Sequence, residues 1–116
     1  MDLDAAPAGR VLRSPGLRAE ARRAGSAAAQ LAPRGIRVNV VTPGVIETRA
    51  LQGLVSALGG TTRKPEDVRD AMVRRIPLKR VGNPLEVAHA ILFLASDEAS
   101  YVTGAEILVD GGLRTA

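Results

Sequence analysis

The sequence contains no cysteine and no tryptophan, and a single phenylalanine, tyrosine and histidine. Without cysteine there is no disulfide, no thiolate metal site and no cysteine nucleophile. That composition suits a reducing cytosol, so a cytoplasmic location is expected. The lone histidine, His89, excludes a multi-histidine metal site. With 2% aromatic residues there is little to stack on nucleic-acid bases. Lysine is scarce as well: Lys64 and Lys79 stand alone and arginine supplies the rest of the basic charge, for a net +4. Acids and bases are interleaved without a dense basic run, so the charge reads as a solvated surface and nucleic acid is a disfavoured partner. No run is long and apolar enough to span a bilayer, and no membrane partner is expected. The start of the chain, with Asp2 and Asp4, lacks the basic-then-apolar pattern of a signal peptide.

What is present is aliphatic. Of the 116 residues 46% are apolar, almost all Ala, Val, Leu and Ile, enough for one globular core. Residues 1–16, with Pro7, Gly9, Pro15 and Gly16, show no periodicity and read as an irregular lead-in to a domain over 17–116. Leu17 to Ala32 reads as a helix with Leu17, Ala21, Ala24, Ala28 and Leu31 on one stripe, stopped by Pro33 and Gly35. Ile36 to Thr42 reads as a strand apolar on both faces, the mark of a strand inside a parallel sheet, and Pro43-Gly44 ends it. Residues 45–64 are ambiguous: Leu51, Leu54, Val55 and Leu58 could form a short helix, loosened by Gly53, Gly59 and Gly60. Pro65 opens another helix, with Glu66 and Asp67 in its first turn and a small apolar face of Val68, Ala71 and Met72.

The best-signalled helix follows Asn83. Asn83 is the N-cap, Pro84 takes the first helical position and Glu86 completes a relative of the capping box. Leu85, Ala88, Ile91, Leu92 and Ala95 are expected to form its buried stripe, widened by Phe93 and Leu94. Tyr101 to Gly104 then turns into a last strand, Ala105 to Val109, closed by Asp110-Gly111-Gly112. Strand, helices and strand in that order, with short loops and a crossover helix, predict an α/β fold built on a right-handed parallel unit.

Ligands of open parallel sheets bind beyond the carboxyl ends of the strands. One such end is the loop Thr42 to Thr48, which offers backbone N–H groups, close approach at Gly44 and the Thr48 hydroxyl. Local chemistry alone favours an ordinary strand-to-helix turn with Thr48 as a helix cap. His89 reads as a surface or packing residue, Asp110 as a turn residue, and Arg18, Arg22 and Arg23 as a solvated helix face.

Four runs, in order and at matching spacing, resemble the short-chain dehydrogenase/reductase family. They are Leu31 to Gly44, Pro77 to Ala88, Phe93 to Asp97, and Tyr101 to Gly104 continuing through Val109-Asp110-Gly111-Gly112. The likeness covers about residues 26–113 and corresponds to less than half of a usual member. It implies a partial Rossmann-like parallel sheet with flanking helices, in a domain that binds NAD or NADP and moves hydride to or from a small alcohol or carbonyl substrate. It also implies that Pro43, Gly44 and Ile46 line the nicotinamide end, partly through backbone groups to the carboxamide, and that Thr48 hydrogen-bonds the cofactor. Residues 49–76 would match a mobile substrate lid, and the tail a strand and helix that often pack between subunits. A homo-oligomer, or association with a full-length relative, is therefore expected.

The same resemblance exposes departures. The family's glycine-rich phosphate loop is absent, and its catalytic serine would lie before Met1. The positions of its catalytic Tyr-x-x-x-Lys fall on Arg13 and Leu17, and Tyr101 with Ala105 is no displaced copy. In that pair the tyrosine donates the proton and the lysine lowers its pKa, which neither Arg13 nor Leu17 can do. The expectation is a truncated oxidoreductase, inactive alone and binding cofactor weakly or not at all. The alternative is a non-enzymatic interaction module that pairs with a full-length relative.

Overall fold

The computed structural model describes residues 15–115. Helix α1 runs Pro15–Leu31 and buries Ala24 and Ala28. It begins two residues before the expected start, so Pro15 and Gly16 belong to the helix. The remainder of the expected lead-in, Arg13 included, lies outside the described residues. A single 3-10 turn, Ala32–Arg34, and a left-handed Gly35 end α1, as Pro33 and Gly35 predict.

Strands β1 (Val40–Pro43) and β2 (Glu106–Val109) pair in parallel, Val40 opposite Glu106 and Pro43 opposite Val109. Backbone bonds from Val40 N–H to Ala105 O and from Gly44 N–H to Val109 O, both 2.9 Å, bracket the ladder. The connection contains α2 (Arg49–Gly59), α3 (Pro65–Arg74) and α4 (Pro84–Ala95). Parallel strands joined through helices bear out the α/β expectation. Among the described residues the sheet has two strands, so β1 keeps one edge unpaired. The radius of gyration, 17.2 Å, exceeds the ~13 Å of a compact domain this long, consistent with an incompletely covered sheet.

The strand expected over Ile36–Thr42 starts only at Val40. The segment before it faces the Val102–Gly104 turn, which offers no regular ladder, and side chains take over the bonding. Asn39 Nδ2 donates to Val102 O and Asn39 Oδ1 accepts from Ala105 N–H, each at 3.0 Å. Val38 N–H donates to Thr103 Oγ1 at 3.1 Å. Arg37 reaches further, donating to Leu94 O (2.8 Å), Val102 O (3.2 Å) and Ser96 O (3.3 Å). Its cation thereby satisfies carbonyls at the C-terminal end of α4, where the helix dipole favours positive charge.

The stripe expected to be buried on α4 is instead exposed: Leu85 is 63% exposed, Ile91 52% and Leu92 67%. The buried residue is Leu94, with Val87 and Ala90 half-covered at helical spacing before it. Helix α4 is apolar around most of its circumference, so periodicity alone does not choose a face. A two-stranded sheet covers one side of it and leaves the other bare.

The ambiguous segment 45–64 forms one helix, α2, which packs on the expected helix α3 as a helical hairpin. Leu51 and Val55 of α2 bury against Val68 of α3, with Val45, Met72 and Val81 packed on them. Leu54 and Leu58 stay exposed, as does Ala71 of α3. Gly53 lies inside α2 and does not break it. No helix of the described residues is long and apolar enough to cross a membrane.

Candidate functional site

The carboxyl ends of β1 and β2 lie side by side, and the loop leaving β1 carries Pro43, Gly44, Ile46 and Thr48. Pro43 closes β1 opposite Val109. Gly44 is where the two strand exits touch: a Cβ there would fall 2.6 Å from Asp110 Cβ and 2.7 Å from Asp110 Cα. Only a residue without a side chain permits this approach. Asp110 is held rigidly as a turn residue, its carboxylate oxygens accepting from Gly112 N–H (2.9 Å) and Arg114 N–H (3.1 Å). The next residue, Gly111, has φ +62 and presses on Ile76, again leaving no room for a Cβ.

Ile46 forms an isolated parallel bridge with Gly82, made by Gly82 N–H to Val45 O and Glu47 N–H to Gly82 O, both 2.9 Å. In such a bridge the residue's own peptide groups point away from the partner strand. Among the described residues, neither the N–H nor the C=O of Ile46 has a hydrogen-bond partner. A donor and an acceptor on one residue are thus left open on the side away from Gly82. Thr48 is the N-cap of α2, its Oγ1 accepting from Leu51 N–H at 3.1 Å. Local chemistry led to that capping role, and the hydroxyl still has its proton to donate.

Glu47 lies between Ile46 and Thr48, and sequence reasoning passed over it. Its carboxylate pairs with Arg69 of α3, a contact across 22 positions that no local pattern reveals. The hydrogen bond from Arg69 holds the Glu47 carboxyl below its ordinary range, and Glu47 in turn raises Arg69. A second pair closes the start of α4: Arg80 binds Glu86 in bidentate fashion (2.6 and 2.9 Å). Glu86 also accepts from Asn83 N–H at 2.8 Å, completing the predicted capping box. Arg80 first, then the Asn83 N–H, lower the Glu86 carboxyl to about 2.

Between the β1 exit loop, the end of β2 and the start of α4 lies a cleft of about 460 Å³. Val45, Ile46, Leu78, Leu108 and Val109 give it a mainly apolar lining. Its charged residues, Arg80, Glu86 and Asp110, already have the partners given above. On the sheet itself, buried Thr42 donates to Glu106 Oε1 (3.0 Å), which also receives Arg114 Nη1 (3.1 Å). That cluster ties the two strands together on one face.

Known proteins resemble this chain along most of its length. The family described as enoyl-(acyl carrier protein) reductase matches residues 21–114. A 3-oxoacyl-(acyl-carrier-protein) reductase FabG of Thermotoga maritima is 54% identical over 86 residues, 74% of this chain and 31% of the relative. A cis-4-hydroxycyclohexanecarboxylate dehydrogenase of Sinomonas cyclohexanicum is 49% identical over 87 residues, 75% of this chain and 31% of the relative. The chain therefore spans about a third of the length of these curated relatives. Among solved structures, a short-chain dehydrogenase family protein from Francisella tularensis superposes with a TM-score of 0.81 at 29% identity, covering 88% of this chain and 46% of that one. The NADPH-dependent reductase YwfH, involved in bacilysin biosynthesis, gives 0.77 at 35% identity, covering 85% of this chain and 38% of that one. With its strand exits, loop motifs and 94 matched residues (21 to 114 inclusive) in agreement, the chain belongs to the short-chain dehydrogenase/reductase family.

Proposed function

We infer that this chain forms the nicotinamide-facing corner of an NAD(P)-dependent oxidoreductase domain acting on an alcohol or carbonyl group. The observation that carries the reading is the open peptide edge of Ile46 at the carboxyl end of β1. A primary carboxamide has one acceptor oxygen and a donor NH2 group, and Ile46 offers the matching N–H and C=O on one residue. Gly44 supports it by letting the strand ends close to contact beneath that edge. Thr48 supports it with a hydroxyl proton left over from its capping bond.

When bound, the nicotinamide supplies the hydride donor or acceptor. The chain's own share is to orient: Ile46 fixes the carboxamide, and the apolar lining around Val45 and Ile46 keeps water from the corner. None of residues 15–115 forms the family's Tyr-x-x-x-Lys pair, so proton transfer is not assigned to them. The reading is accordingly a partial cofactor site without turnover of its own. The unpaired edge of β1 and the bare face of α4 favour a second reading, a module that docks on a longer relative.

Titrating NADH, NADPH and nicotinamide into the 15N-labelled chain separates the two. The first reading expects saturable shifts of the Ile46 and Thr48 amides at about millimolar ligand, an affinity near −4 kcal/mol, with no turnover. No shift at those amides would refute it and leave the docking module. Turnover by the purified chain would overturn the assignment of chemistry elsewhere.

A further inference from the structure

We propose that the Glu47–Arg69 pair is a latch that holds the α2–α3 hairpin against the loop leaving β1, and so sets the orientation of the Ile46 peptide edge. Glu47 separates Ile46 from Thr48 and is anchored twice. Its N–H is tied to Gly82 O at 2.9 Å, fixing the backbone to the strand-like segment before α4. Its carboxylate is tied to Arg69, fixing the same residue to α3. Among the described residues this is the one hydrogen bond joining α3 to loop 44–48. The two anchors pull on one residue from two elements, so the peptide beside it cannot rotate freely.

The apolar contacts at this place do a different job. Leu51, Val55 and Val68 pack with Val45 and Val81, which keeps the hairpin near the loop. Burial of that kind is non-directional and tolerates sliding. A hydrogen-bonded ion pair with a planar guanidinium specifies an angle. The side chains are 40% (Arg69) and 34% (Glu47) exposed, so solvent competes for the pair. It is therefore a directional tie of modest strength between the hairpin and the loop. Glu47 and Arg69 are positioning residues: neither has to touch a ligand. The consequence for the carboxamide rests on the reading of Ile46 given above, whereas the tie between hairpin and loop does not.

The test is amide hydrogen exchange by NMR on the whole chain in four forms: wild type, Glu47→Gln, Arg69→Met, and the reversed pair E47R/R69E. The latch predicts that either single change lowers protection of the Glu47 and Leu51 amides about two- to fivefold, the range of an exposed ion pair. The amides of Leu85 and Glu86, in the α4 cap, keep wild-type protection as an internal control. The reversed pair recovers at least half of the loss, which a merely structural role for either side chain would not give. Unchanged protection in the single variants overturns the proposal, and so does an equal loss at the α4 cap or a failure of the reversed pair to recover. Adding NADH to each form makes the two readings separable. If exchange behaves as predicted but NADH leaves the Ile46 amide unmoved in wild type, the latch stands and the cofactor corner falls. If NADH shifts Ile46 equally in all four forms, the latch does not set that peptide and is overturned.

Discussion

Replacing Gly44 by alanine tests the close approach of the two strand exits. The new Cβ would lie 2.6 Å from Asp110 Cβ and 2.7 Å from Asp110 Cα, against the ~3.5–4.0 Å that carbon atoms prefer. Neither side yields cheaply. Asp110 is pinned by its bonds to Gly112 N–H and Arg114 N–H, and Gly111 beyond it abuts Ile76. The strand exits must therefore part, which breaks the 2.9 Å bond from Gly44 N–H to Val109 O. Overpacking contributes about 1–3 kcal/mol and the lost hydrogen bond about 1 kcal/mol. The expected loss is about 2–4 kcal/mol, or a fall in Tm of about 10 °C or more for a chain of this size. Urea unfolding followed by circular dichroism measures it. Gly53→Ala is the matched control: it sits within α2 with nothing within 4 Å of a Cβ, and should gain about 0.5–1 kcal/mol. If Gly44→Ala is as stable as the wild type, or if Gly53→Ala loses as much, the account of the strand exits is wrong.

Three further outcomes follow from named contacts. The Glu86 carboxyl, lowered to about 2 from an ordinary 4.5, stabilises the folded chain fully above about pH 4.5, and that contribution is lost as the pH falls from 4.5 toward 2. A carboxyl resonance of Glu86 titrating near 4.5 in the folded chain would contradict this, and Asn83→Ala should remove about 1 kcal/mol by deleting the cap. Arg37→Ala should lose about 1.5–3 kcal/mol in urea unfolding, because three carbonyls give up a charged donor; Arg37→Lys should recover only part, lacking the fork. Leu92→Glu, at a 67% exposed position, should change stability by less than about 0.5 kcal/mol yet reduce self-association in sedimentation velocity if the bare face of α4 meets another chain.

Helix starts were the most legible features. Asn83-Pro84 with Glu86 and Lys64-Pro65 with Glu66 and Asp67 are local signals, and both helices begin where those residues say. The corner at Gly44 was legible in kind, since proline and glycine after a valine-rich run mark a strand exit. Its contact with Asp110 was not, because that residue is far along the chain. Arg37 and Asn39 lie within the strand expected over Ile36–Thr42. They in fact replace a ladder that the facing turn could not supply, which shortened β1 to Val40–Pro43. The stripe on α4 failed for a related reason: Leu85, Leu92 and Leu94 have the same preference for burial, and neighbours decide which of them obtains it.

By itself the sequence settled what is short-range: where chain stiffness, caps and side-chain period set helices and strand exits, and which family pattern they spell. Tertiary structure decided what depends on distant partners, namely the contact of Gly44 with Asp110, the choice of face on α4 and the pairing of Glu47 with Arg69. The physical reason is reach. Backbone preferences and caps act within about one helical turn, whereas packing and ion pairs act between groups that only the folded chain brings together.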